Sequence, residues 1–172
     1  MPSWLTTAMS IITGGILTMV AGWLSDQRLT QRDRERRRDE RKDRLIAERE
    51  NFQRDTLLEL QVASQKLLRN AGAALHQDRL AYKASGRWQQ QQLPEGLSDD
   101  QHRLNTDTLL LSSRVRDDEV RNLTQQLRSQ TVSVGHSSTE TEALRCMTMA
   151  ADVQRVLIER IGQIIRELDE KS

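Results

Sequence analysis

Cys146 is the only cysteine in the 172 residues, so no intramolecular disulfide can staple the fold, and a lone thiol fits a reducing compartment. Aromatic residues make up 3% and there are two prolines. Strands draw on aromatic and β-branched side chains, so this scarcity argues against a β architecture and leaves long helices uninterrupted. The net charge of +1 excludes a polyanion binder acting through bulk charge. The chain has no phosphate-cradling glycine loop, no nucleophile elbow and no zinc spacing. Charge itself is missing from Trp4 to Leu24, and the first charged residue is Asp26.

That uncharged stretch is long enough, at about 1.5 Å per residue, to cross a hydrocarbon core of roughly 30 Å. Trp4 and Trp23 stand near its ends, where indole rings favour the membrane–water interface. Residues 1–25 therefore read as a transmembrane anchor. Thr6, Ser10, Gly14, Thr18 and Gly22 recur every four residues, and such a small-residue stripe lets helices pack closely in lipid. A cleaved signal peptide is disfavoured because Met1 to Trp4 holds no basic residue. Arg28 to Arg44 carries nine basic and five acidic residues, and basic residues beside a span stay cytoplasmic. The expectation is a single-pass protein of the plasma (inner) membrane with a cytoplasmic C-terminal domain.

Residues 26–56 read as a charged helical stalk continuing from the anchor, laced by i,i+3 and i,i+4 pairs such as Glu40 with Arg44. Its basic residues Arg34, Arg36, Arg37, Arg38, Arg41 and Lys42 are placed to meet membrane lipid, at about 1 kcal/mol each near an anionic surface. Nucleic acid is disfavoured as a partner, since the block offers no aromatic for stacking and its acids dilute the field.

Residues 57–172 have helical periodicity. Leu57, Leu60, Ser64, Leu67, Ala71, Ala74, Asp78 and Ala81 step by three and four, forming one seam until Gly86 stops the helix. The second helix starts near Asp99 and runs to about 131, with a seam that slips between Val115 and Val120. That slip reads as a kink or brief break, capped by Asp117 or Asp118. Thr139 followed by Glu142 is a capping box opening the third helix, whose seam runs from Leu144 to Leu168. The predicted fold is all-α: a transmembrane helix, a charged stalk, then an antiparallel three-helix bundle with helices about 57–84, 99–131 and 140–169. Trp88, in the first loop, is expected to cap the bundle end.

No catalytic, cofactor or metal residues are assigned. His76, Asp78, His102 and Asp107 are the best metal candidates, because an antiparallel hairpin gathers them at one end, but no Glu-x-x-His spacing supports them. The blander expectation pairs Asp78 with Arg103 or another nearby base and leaves both histidines in water. The charged patch Arg114 to Glu119 is expected to pair with the last helix near Arg155 or to stay solvated, and Cys146 to pack in the core. The stretches Trp4–Leu24, Arg32–Arg44 and Arg114–Val120 together resemble small, uncharacterised bacterial single-pass membrane proteins with a helical cytoplasmic domain. The resemblance implies no known activity and carries over no functional residue. The expected function is that of a non-enzymatic, membrane-anchored interaction or scaffold protein that self-associates or binds a protein partner through its bundle. The alternatives are an oligomeric membrane effector and a metal-dependent enzyme using His76, Asp78 and His102.

Overall fold

The computed structural model describes the backbone of residues 3–89 and 96–170 and the side chains of 36–89 and 96–170. The described residues are all-helical, with no strand: α1 (Ser3–Ser85), α2 (Leu97–Arg114), α3 (Asp118–His136) and α4 (Glu140–Asp169). They divide into two compact units, Met1–Glu48 and Arg49–Ser172.

No helix among the described residues is long and apolar enough to cross a membrane. This corrects the expected transmembrane anchor and the placement in the inner membrane with a cytoplasmic domain. Spanning requires roughly 20 consecutive apolar residues. Beyond Arg36, α1 never runs more than eight residues without a charged side chain. Trp4, Thr6, Ser10, Gly14, Thr18, Gly22, Trp23 and Arg34 lie outside the residues whose side chains are described, and so do the packing and interface roles expected of them. In the first unit Arg36, Arg37, Arg38, Arg41 and Lys42 are exposed, and Lys42 lies 3.4 Å from Asp39.

The second unit is a four-helix bundle rather than the three-helix bundle expected. Contacts fix the direction of each helix against α1. Asn70 Nδ2 donates to Leu97 O (3.2 Å) and Gln101 Oε1 (2.8 Å), while Gln53 reaches Arg114 and Arg116, so α2 runs antiparallel to α1. Arg128 Nε donates to Asn105 Oδ1 (2.7 Å), which folds α3 back along α2. Arg79–Glu140 (2.6 Å), Gln154–Ser64 (3.0 Å) and Arg54–Asp169 (3.2 Å) set α4 antiparallel to α1. The predicted 99–131 helix is thus two helices, and the seam slip is a full reversal. Val115 and Asp117 are extended, at φ −78°, ψ 134° and φ −74°, ψ 121°. Asp117 caps α3, its Oδ1 accepting from Val120 N (2.8 Å).

The other helix ends follow local chemistry. Gly86, at φ +70°, ends α1 in the left-handed region that favours glycine. Gly96, at φ +84°, precedes α2, whose first turn carries Asp99 and Asp100 beside the positive end of the helix dipole. Thr139 caps α4 by accepting from Glu142 N (3.2 Å). The Glu142 carboxylate closes the box one residue early, accepting from Ser138 N (3.0 Å).

The core has two clusters. Leu57, Leu60, Val115, Val120, Leu127, Ala150, Leu157 and Ile161 fill the end near the α2–α3 turn. Leu75, Val134, Ala143 and Cys146 fill the other end, with Trp88 and Met147 packed against them. Between and among these lie buried hydroxyls. Thr108, Ser112, Thr124 and Thr131 each donate to a carbonyl three or four residues back on the same helix, so none is left unbonded. Buried Gln154 meets Ser64 across the bundle, a polar layer that fixes α4 against α1 in one register.

Candidate interaction surface

At the α2–α3 turn the backbone lacks helical partners, and Gln53 supplies them. Its Nε2 donates to Arg114 O (2.8 Å), and its Oε1 accepts from Arg116 N (3.0 Å). The side chain is 7% exposed, so one amide on α1 clamps both sides of a turn sixty residues away. Arg121 Nη1 adds a bond to Val115 O (2.7 Å). On the outer side, Arg160 of α4 reaches Asp117 Oδ2 (2.7 Å) and lies 3.1 Å from Glu119 Oε2. The patch Arg114 to Glu119 therefore pairs with α4 through Arg160. That is the helix expected to meet the patch, about one turn beyond Arg155, which itself pairs with Glu159 (3.3 Å). Burial pushes the Asp117 carboxyl up. The Arg160 hydrogen bond and charge, with the Val120 N–H, outweigh it and hold the carboxyl below its usual range.

Next to this turn, α1 and α2 leave a groove of about 600 Å³. Its floor is apolar: Ala63 and Leu111 lie at the base, and Leu58 (44%), Val62 (51%) and Leu110 (53%) stand exposed along it. Glu59 and Lys66 line the α1 side, Asp107 and Arg114 the α2 side. Large exposed aliphatic side chains rimmed by charge are the usual mark of a protein-binding surface. The α1 seam read from sequence identified that helix's inward face but not this one. The signal was present in Leu58 and Val62, which lie off the Leu57–Leu60–Ser64–Leu67 seam.

The proposed metal cluster does not assemble. His76 and His102 are both exposed, whereas Asp78, two residues from His76, is buried at 8% exposure. Asp107 stands on the groove instead. No group of three or more potential ligands exists among the described residues. The expected Asp78–Arg103 pair is also absent, because Arg103 bonds Asp100 (2.7 Å) one turn away on its own helix. Burial pushes the Asp78 carboxyl above its ordinary value. His102 and His136 share a separate cavity of about 440 Å³ between α1, α2 and α3. Cys146 is in the core, as its place beside the seam suggests. Trp88 closes the bundle end, donating from Nε1 to Ser137 O (2.9 Å) with its ring edge-to-face on Tyr82 at 5.7 Å.

Comparisons with protein-family models, with curated proteins and with solved structures return no match to this chain.

Proposed function

We propose that the chain is a non-enzymatic helical interaction protein that self-associates through its four-helix unit. One observation carries this reading: Leu58, Val62 and Leu110 stand 44–53% exposed along one charged-rimmed groove, where a monomer gains nothing from placing them. The three-residue α2–α3 and α3–α4 turns and the cross-helix clamps support a rigid scaffold, since a surface fixed on helices associates with little loss of conformational freedom. The charged residues 36–48 are exposed and fit a solvated helical spacer, whereas 49–56 of the expected stalk belong to the bundle, with Gln53 and Thr56 buried.

Sedimentation equilibrium of the purified chain across a hundredfold concentration range tests the proposal. A dimer or higher species with concentration-dependent mass is expected. A strict monomer throughout that range would end the reading.

A further inference from the structure

α2 is held in the bundle differently from its neighbours. α3 buries Val120, Leu127 and Val134, and α4 buries Leu157 and Ile161. The residues that α2 buries are Thr108 and Ser112, while Leu104 and Leu111 are covered only in part. Leu109 and Leu110 stand 45% and 53% exposed. Spaces of about 600, 440 and 300 Å³ lie beside this helix, the first against α1, the second against α1 and α3, the third against α3. Side chains that border a gap forfeit dispersion energy on that side. Part-buried hydrogen bonds tie α2 down instead, from Asn70 at its first turn, Arg128 in its middle and Gln53 at its last turn.

Local sequence points the same way. Half of the 18 residues of α2 are Ser, Thr, Asn or Asp, all weak helix formers, and an isolated helix of this length is marginal in water. Gly96 at its entry supplies no side-chain cap. We propose that α2 is a detachable strap, which leaves the α1–α3–α4 core as one unit and melts while that core stays folded. The opening stops at the α2–α3 turn, where Val115 is 2% exposed and Asp117 is held by Arg160. It uncovers Ala63 and Ala71 on α1 and Thr131 and Val134 on α3, which line the spaces beside α2 and are at most 8% exposed when it is closed. It also carries Leu110 away from Leu58 and Val62, so the groove exists only with the strap in place. The closed form predominates, and the open one is a minor state that a binding partner can select or suppress.

Amide hydrogen exchange of the full chain, followed residue by residue in urea below the unfolding transition, tests the strap. The amides of residues 104–113 should share one protection factor and one urea dependence, with at least about tenfold less protection than the slowest amides of α3 and α4. Ala143→Gly separates strap opening from global unfolding, because Ala143 belongs to a core cluster with Leu75, Val134 and Cys146 that holds no α2 residue. The variant should lower protection in α3 and α4 about tenfold and leave that of α2 unchanged, since the closed and strap-open forms share the loss. Cys146→Ala, in the same cluster, repeats the comparison. Protection in α2 that equals that of α3 and α4, or that falls with it in both variants, means α2 leaves only when the whole bundle unfolds, and overturns the strap. Amides of α2 that open one by one, each with its own urea dependence, overturn it as well. These rates do not depend on association, so a monomeric chain ends the proposed function without deciding this one.

Discussion

Gln53 is the residue whose removal bears most directly on the fold, because it satisfies the turn that makes four helices out of the expected three. Its two hydrogen bonds, at 2.8 and 3.0 Å, are each worth about 1 kcal/mol net. Its buried methylenes add about 0.8 kcal/mol apiece. Both bonds are only part-buried, so the full penalty of a dry orphan does not apply to the freed carbonyl and amide. Gln53→Ala should therefore cost about 3–4 kcal/mol. Gln53→Met, which keeps the stem and loses only the amide, should cost about 2 kcal/mol. With a urea slope of about 2 kcal/mol/M, the Met variant moves the unfolding midpoint down by about 1 M. Hydrogen exchange at the Arg116 amide should accelerate in both. If Gln53→Met unfolds within about 0.5 kcal/mol of wild type and Arg116 exchange is unchanged, water replaces the clamp and the argument fails.

Asp78 lies buried without a partner among the described residues, and its raised carboxyl pKa means the folded state binds the proton more tightly. Its penalty is absent below the ordinary carboxylate value of 3.8 and fully present above the raised value, so stability from this group falls as pH rises. Asp78→Asn should stabilise the protein by about 1 kcal/mol at pH 7 and by little at pH 3.5, measured as the difference in urea midpoint between variant and wild type. Asp117 behaves oppositely: its depressed carboxyl stabilises fully above 3.8, and the contribution is lost as pH falls through the lowered value. Asp117→Ala, which removes the α3 cap, should cost about 1–2 kcal/mol at pH 7 and show a shrinking difference in acid. Gly72 sits within α1, and an added Cβ there meets only the mobile end of Met147 at 3.3 Å. Gly72→Ala should raise stability by about 0.5 kcal/mol in thermal unfolding, most of the helix-propensity gain surviving a small shift of that methionine.

The features legible in the sequence are those decided by neighbouring residues. Thr139 caps α4 because its hydroxyl meets an amide three residues on, and Gly86 ends α1 because glycine accepts positive φ. The α4 seam was legible in part: Gln154 and Ile161 are buried as read, but Leu144 and Ala151 are exposed, and the core instead takes Ala143, Cys146, Ala150 and Leu157. The α2–α3 reversal was half legible. A capping aspartate and a five-residue step mark a break, yet a kink and a hairpin share those marks. What separates them is Gln53, a residue far away in sequence, and hydropathy carries no trace of that amide. The Asp78–Arg103 expectation failed because Arg103 finds Asp100 within one turn of its own helix. The groove was hidden because an apolar residue beside a seam reads the same whether it widens the core or faces outward.

Thr108, Ser112, Thr124 and Thr131 fill interior positions where Leu or Val would bring more apolar surface. Exposing apolar surface raises the heat capacity of unfolding, and exposing polar surface lowers it. A core built this way should unfold with a heat-capacity change below the usual 12–15 cal/mol/K per residue. Its stability curve is correspondingly flat: shallow at its maximum, but changing slowly on cooling and warming alike. The hydroxyls that bond back to their own helices thus set how broad a temperature range the bundle tolerates, independently of how stable it is at any one point in that range.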